Sequence, residues 1–363
     1  MCANDNKISV RVISDKKGIL QIEREWNDLV GNSCKNPFML SRFVTEFIET
    51  HPKDWTPLIL FISLKQTIIG IASFMVRQQF GVRSVRASNP LWCSEFIIDS
   101  QFRKICITRI LDVLFKTLNC KYADFTLPCD SSNFEQILNQ CKVHRIHVKT
   151  SPKMGRLVIP IHCTWSEFLA GQGTKYRAKI RRIERSLTQA GSWKTVYADG
   201  NKQPEAIKKI FEIERNSWKD KWRTQRGENT DESLMTVLSA AQHLSKEPKF
   251  KLNICSLELD GKAIAYCTAI EYDEVAFIVK TSYDERYKKL YSGIFVQHAI
   301  IHELFDSGRI KQIDFLSDLQ YLRTWANECI PRNRIMLAKG ILPTTMQLIS
   351  ETAVVGKIRR KLL

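Results

Sequence analysis

The segment Tyr283-Asp-Glu-Arg-Tyr-Lys-Lys-Leu-Tyr-Ser-Gly293 combines residue types suited to anion capture. It joins an apolar strand pattern to an apolar helix pattern, and Gly293 falls at the predicted helix start. A helix N-terminus offers backbone N–H groups without intrahelical partners and the positive end of the helix dipole. Such an end suits a pyrophosphate; Lys288 and Lys289 add charge beside it, and Gly293 admits close approach to the backbone. By themselves the residues describe a solvated charged turn at least as well, because this is no named phosphate loop.

Three carboxylates are candidate general bases: Glu214, Asp284 and Asp318. Glu214 lies one turn before Trp218 on a predicted helix over 204–218, so the two share a face. An acid beside an aromatic suits recognition of an amine or a sugar, and a surface glutamate on an amphipathic helix has the same signature. Asp318 follows a predicted strand over 310–315, the end at which ligands gather in open α/β sheets. The same position suits a helix N-cap before Tyr321.

The predicted helix over 174–190 carries Lys175, Arg177, Lys179, Arg181, Arg182 and Arg185 against Glu184 alone. Arg177, Arg181 and Arg185 form one stripe, while Tyr176, Ile180 and Ile183 form another. The basic stripe fits a phosphate backbone, an anionic sugar or a lipid surface, and equally a solvated face over a packed one. Metal ligation is not expected. His298 and His302 sit in H-A-I-I-H-E and not H-E-x-x-H, and Cys141, His144 and His147 recur at a spacing that alternates faces of a strand. There is no G-x-S-x-G elbow, Walker loop or Rossmann fingerprint.

The elements that must position these groups come from 363 residues with 44% hydrophobic and 26% charged content. These are globular values, and the length favours two domains. The net charge of +17 favours anionic partners without choosing among them. Eleven scattered cysteines with no C-x-x-C pair fit a reducing compartment, and with no apolar run long enough to span a bilayer the expected location is cytoplasmic.

Two halves repeat one order of elements: strand, two helices, hairpin or meander, loop, helix, strand. The expected strands and hairpins include 8–13, 55–64 with 67–76, 122–127, 143–148, 193–197, 251–259 with 263–272, 275–280, 310–315 and 335–338. Expected helices cover 19–30, 37–48, 105–118, 134–141, 165–170, 174–190, 204–218, 232–244 and 293–305. Asp260-Gly261 between apolar runs is a strong hairpin signal. The expected partition is 1–155, 156–345 and a basic C-terminal helix over 346–363.

Three segments of the second half resemble the GNAT-like acyltransferases associated with cellulose and exopolysaccharide biosynthesis, a tandem-domain family related to the Fem-type aminoacyl transferases. They are Trp165-Ser-Glu-Phe-Leu169 with Tyr176 to Leu187 and Gly191; Leu259-Asp-Gly-Lys-Ala-Ile-Ala-Tyr266; and Tyr283 to Tyr287, Tyr291-Ser-Gly293, Asp314-Phe-Leu316 and Tyr321 to Trp325. The chain departs from the family at Ser292, usually proline, at Ser317, usually glycine, and at Leu322, usually lysine.

The resemblance implies an α/β chain of tandem GNAT-type acyl-CoA N-acyltransferase folds, with mixed central sheets flanked by helices. The second half would bind acetyl-CoA or another acyl-CoA, and the first would be degenerate. Lys288, Lys289, Tyr291, Ser292 and Gly293 would hold the donor's pyrophosphate. Backbone N–H groups around Ile278 to Lys280 would polarise the thioester, Tyr321 would protonate the thiolate, and Asp318 or Glu214 would serve as base. Trp218, Arg177, Arg181 and Arg185 would face the acceptor, an amine or hydroxyl of a small molecule or sugar. Two alternatives stand beside this: a Fem-type transferase using aminoacyl-tRNA, and a non-catalytic basic module for membrane or nucleic acid.

Overall fold

The structure, a computed structural model, describes residues 8–340 apart from 35, 51–52, 89–93, 199–201, 220–229, 248 and 327. The helix expected over 346–363 lies outside the described residues. The chain divides into two compact units, Met1–Lys153 with Pro331–Leu363, and Met154–Ile330.

The first unit contains β1 (Ile8–Ile13), α1 (Lys16–Leu20), α2 (Glu23–Ser33), α3 (Ser41–Glu49), β2 (Thr56–Leu64), β3 (Thr67–Gln79), β4 (Val82–Ala87), β5 (Ile97–Ile98), α4 (Arg103–Asp112), β6 (Tyr122–Pro128) and α5 (Ser132–Val143). Strand β7 (His147–Pro160) carries the chain into the second unit. That unit holds α6 (Trp165–Gly171), α7 (Thr174–Ala190), β8 (Trp193–Ala198), α8 (Gln203–Arg215), α9 (Thr230–Leu244), β9 (Phe250–Leu259), β10 (Lys262–Tyr272), β11 (Val275–Tyr283), α10 (Ser292–Asp306) and β12 (Gln312–Asp314). Strand β13 (Glu328–Ala338) returns the chain to the first unit, where its Arg332–Ala338 stretch pairs with β6.

In the first unit the strand order is β1-β2-β3-β4-β6-β13, with β5 beside β3. In the second it is β7-β12-β11-β10-β9-β8. Each sheet is mixed, with one parallel pair among these strands: β4 with β6, and β11 with β12. A helix lies between the partners of each pair, α4 in one unit and α10 in the other. This is the repeated order expected from the two halves.

The sequence explains most of the second unit. In α7, Tyr176, Ile180, Ile183 and Leu187 recur at intervals of four and three and are buried, while most of the basic residues point outward. Thr164 and Glu167 close a capping box at the start of α6. Asp260 and Gly261 both take positive φ, 48° and 78°, as a tight hairpin turn requires, and β9 and β10 pair through it. The core packs the sheet against α10 through Leu257, Ala265, Ala269, Val296, Ile300 and Leu304.

Several elements differ from expectation. The helix expected over 19–30 is two, because Asp15 caps the short α1 through the Gly18 N–H and α2 starts at Glu23. The loop expected after residue 76 is instead the end of β3 and all of β4, turned at Phe80 and Gly81. Polar Arg77 and Arg86 mask the strand pattern, although both guanidiniums stack on Trp55. The strand expected over 143–148 is instead β7, over 147–160, and α8 ends at Arg215, before Trp218.

Candidate active site

The second unit's sheet opens at one place. Strand β11 pairs with β12 only through Val275–Gln312, Ala276–Ile313 and Phe277–Asp314, whereas β11 itself continues to Tyr283. Strand β12 stops because Asp314 is drawn toward β7. Its buried carboxylate is paired with Arg156 and accepts from the Leu316 N–H at 2.8 Å, and the Phe315 N–H turns to the Leu157 carbonyl. Two residues past the last of its pairs with β12, β11 bulges: Ile278 faces Ala269 and Lys280 faces Thr268, so Val279 is extra. A bulge re-aims the backbone locally and is common beside active sites. The predicted pair Ile278 and Lys280 flanks the extra Val279, just past the point where the sheet parts.

At the far end of β11, Asp284 caps a 3₁₀ turn over Glu285–Leu290 that carries Lys288 and Lys289 on its exposed side. Tyr291 then takes the left-handed conformation, φ 53° and ψ 32°, and α10 begins at Ser292. The Ser292 hydroxyl is buried and has no hydrogen-bond partner among the described residues. An orphan hydroxyl in the first turn of a 15-residue helix is a group that an anion would satisfy. Gly293 is required here, since a Cβ would lie 2.9 Å from Tyr283 Cδ1. From α7, Lys179 and Arg182 stand over the Tyr291 ring, at 5.9 and 5.7 Å from its centroid.

Glu214 is fully enclosed, at 0% exposure. Its Oε1 accepts a 2.5 Å hydrogen bond from the Tyr266 hydroxyl, and its Oε2 lies 3.5 Å from Lys280 Nζ. Both carboxylate oxygens are thus engaged, which is the condition under which a buried charge is tolerated. The expectation that Glu214 shares a face with Trp218 is corrected. The helix ends at Arg215, the chain turns through Asn216 and Ser217, and Trp218 is 46% exposed. Next to it, Lys219 Nζ donates to the Thr281 carbonyl on β11, beyond the last pair with β12.

Beyond β12, Asp318 accepts a 2.6 Å bond from Arg323 through Oδ2, while its Oδ1 is buried with no partner among the described residues. No side-chain cap bond is formed at the 3₁₀ turn Gln320–Thr324 that follows, so the N-cap alternative is not what Asp318 does. Tyr321 stands on this turn and is 55% exposed. Removal of water around the hydroxyl, and then the nearby Cys267 thiol, push the phenol above its ordinary pKa. Cys267 is itself 3.1 Å from the Thr281 hydroxyl, which puts Tyr321 close to the stretch of β11 beyond its last pair with β12. Asp284 differs from the other two acids. Burial alone would raise its pKa, but hydrogen bonds from the Arg286 guanidinium and N–H hold it below the usual carboxylate range, so it is a poor base.

The conspicuous aromatic and histidine residues form a packing cluster. Trp165 stacks on His302 at 4.7 Å, Tyr176 meets Trp325 edge-on at 4.9 Å, and the Tyr176 hydroxyl lies 2.8 Å from His298 Nδ1. Burial, and then His302, depress the His298 pKa to about 4. The residues Trp165, Tyr176 and Trp325, far apart in sequence, thus meet against α10. Of the basic stripe, Arg177 is half-buried while Arg181 and Arg185 are exposed and line an open groove with Glu184. Spacing does not single out Tyr266, Lys179 or Arg182. The only available signal for Tyr266 is its alternation with Thr268 and Ile270 on the sheet face opposite Ala265, Cys267 and Ala269.

A family model described as an acetyltransferase (GNAT) domain matches residues 174–321, all within the second unit. No curated protein matches this chain. Among solved structures, the C-terminal domain of a putative lysylphosphatidylglycerol synthetase from Agrobacterium fabrum is 10% identical, with 94% of this chain and 97% of that one covered and a TM-score of 0.57. FemX is also 10% identical, with coverage of 86% and 95% and a TM-score of 0.57. The L-PGS of Bacillus licheniformis is 8% identical, with coverage of 92% and 96% and a TM-score of 0.53. At these identities the likeness is one of fold. The domain match gives the second unit an acetyltransferase (GNAT) domain.

Among the described residues no helix is long and apolar enough to cross a membrane.

Proposed function

We propose that the unit Met154–Ile330 transfers an acyl group from acetyl-CoA or another acyl-CoA to an amine, or less favourably a hydroxyl, of a small molecule or sugar. The parting of β11 from β12 at Phe277, two residues before the extra Val279, carries this reading. A thioester lying along β11 there meets strand N–H groups at one end and the first turn of α10 at the other. The donor's pyrophosphate fits the orphan Ser292 hydroxyl and the close approach that Gly293 allows, with Lys288 and Lys289 beside it.

In this mechanism the acceptor nitrogen attacks the thioester carbonyl carbon. Backbone N–H groups between Ile278 and Lys280 stabilise the charge that develops on the carbonyl oxygen. The proton of the attacking amine passes to Asp318, whose Oδ1 is the unengaged oxygen. The C–S bond breaks and Tyr321, kept protonated by its raised pKa, gives its proton to the thiolate. Solvent then returns one proton to Tyr321 and removes one from Asp318. Glu214 is assigned to holding Lys280 and not to proton abstraction, because it is enclosed and both its oxygens are taken.

The net charge of +17 favours a second donor, an aminoacyl-tRNA, as the Fem-type resemblance implies. Calorimetric titration with acetyl-CoA, desulfo-CoA and bulk tRNA at two salt concentrations separates the two. Saturable binding of both CoA species without specific tRNA binding supports the thioester. Tight tRNA binding that falls steeply with salt, with no CoA binding, moves the donor to tRNA. Failure of all three to bind overturns both readings.

A further inference from the structure

In the first unit, β1 and β2 share a face that changes character along its length. The cross-strand pair Ile13–Ile59 is buried. The next pairs on that face are Arg11–Phe61 and Ser9–Ser63, and Arg11 and Ser9 are exposed. Helix α2 buries Trp26, Asn27 and Val30, and it turns a second stripe, Ile22, Glu25 and Leu29 with Asp28 beside it, to the polar end of this face. A helix laid on a sheet ordinarily seals the contact with apolar side chains. Here polar groups of both elements line an open cleft of about 830 Å³, together with Lys65 of the β2–β3 turn. That lies in the usual range of small-molecule sites. Every residue of the cleft belongs to the first unit, whereas the acyl-transfer groups proposed above belong to the second.

The cleft holds charges of both signs that do not neutralise one another. Glu25 and Asp28 come from α2, Arg11 and Lys65 from the sheet and its turn, and among the described residues none of the four is ion-paired. Arg11 stands over the Phe61 ring, 5.7 Å from its centroid, which steadies the guanidinium and leaves its N–H groups for a carboxylate. Half-buried Ile22 and Leu29 add an aliphatic lining. We propose that this cleft binds a zwitterionic amino compound with an aliphatic side chain, a free amino acid or a dipeptide. The ammonium group meets Glu25 and Asp28, the carboxylate meets Arg11 and Lys65, and the side chain lies on Ile22 and Leu29. A simple anion leaves the two acids unmatched, a simple cation leaves the two bases unmatched, and a neutral sugar leaves all four. The site does not depend on the acyl-CoA reading.

The test is calorimetry of the full chain with leucine, with the dipeptide alanylleucine, and with the N-acetylated and the C-amidated form of each. Wild type is expected to bind leucine or alanylleucine saturably, and the tighter of the two names the source. Blocking either end of that ligand should weaken binding about tenfold or more, the scale of a lost charge-assisted contact. Arg11→Gln/Lys65→Gln should erase the preference for the free carboxylate over the amide. Glu25→Gln/Asp28→Asn should erase the preference for the free amine over the N-acetyl form. All four residues are exposed, so an unchanged circular dichroism spectrum is expected for both variants. No saturable binding of leucine or alanylleucine by wild type, equal affinity for blocked and free ends, or preferences that survive in both variants overturns the proposal.

Discussion

The Tyr266 hydroxyl donates a 2.5 Å hydrogen bond to Glu214, and both residues are completely buried. The bond ties α8 to β10, and Lys280, beside the β11 bulge, joins it at 3.5 Å. A carboxylate in that setting is a positioning device. On the function proposed above, it holds the lysine beside the opened strand and is not the base.

Removing one member of this cluster exposes the cost of the others. Tyr266→Phe deletes only the hydroxyl and leaves Glu214 one donor short in a water-free site. A loss of stability of about 1–3 kcal/mol is expected, read as a shift in the urea midpoint. A midpoint unchanged from wild type would show that the bond contributes nothing net.

His298 gives the second unit a defined pH response. Its folded pKa of about 4 lies below its ordinary value of 6.5. As pH falls, the unfolded chain takes up the proton first, so the stabilisation is full above about pH 6.5 and is lost as pH drops toward about 4. The full effect is at most about 3 kcal/mol, from the linkage of one pKa unit to 1.36 kcal/mol. Denaturation at about pH 7.5 and about pH 5 should show a slope in wild type that His298→Gln flattens. Equal slopes in the two proteins would assign the acid sensitivity elsewhere.

Tyr321→Phe and Asp318→Asn separate chemistry from binding. Each is expected to lower kcat about 100-fold or more, the usual worth of a positioned acid or base, with the affinity for acetyl-CoA unchanged. Tyr321 is exposed, so its variant leaves the fold intact. Wild-type turnover in either variant would remove that residue from the proton path.

Much of the fold was legible because the local signals agree with the global arrangement. The Asp260-Gly261 turn, the 4-3-4 spacing of Tyr176, Ile180, Ile183 and Leu187, and the capping at Thr164 each specify their element from within a few residues. The loop from Tyr283 to Gly293 was legible for the same reason, as a charged turn ahead of an apolar helix. What was not legible depends on contacts far apart in sequence. Nothing near Glu214 announces that Tyr266 and Lys280 will close over it. The basic positions of α7 look alike in sequence, and only tertiary packing turns Lys179 and Arg182 toward Tyr291 while leaving Arg181 and Arg185 outward. Strand β4 was obscured because Arg77 and Arg86 read as solvated residues, and their stacking on Trp55 cannot be seen from either segment alone.

The central claim is that an acyl-CoA docks where α10 begins, and calorimetry of acetyl-CoA binding to wild type and Gly293→Val addresses it most directly. A Cβ at residue 293 already meets Tyr283 at 2.9 Å, so valine there crowds the approach to the first turn of α10. Saturable binding to wild type that is lost in Gly293→Val, with an unchanged circular dichroism spectrum, is the expected result. Equal binding by the two proteins, or none by wild type, would contradict the placement of the donor.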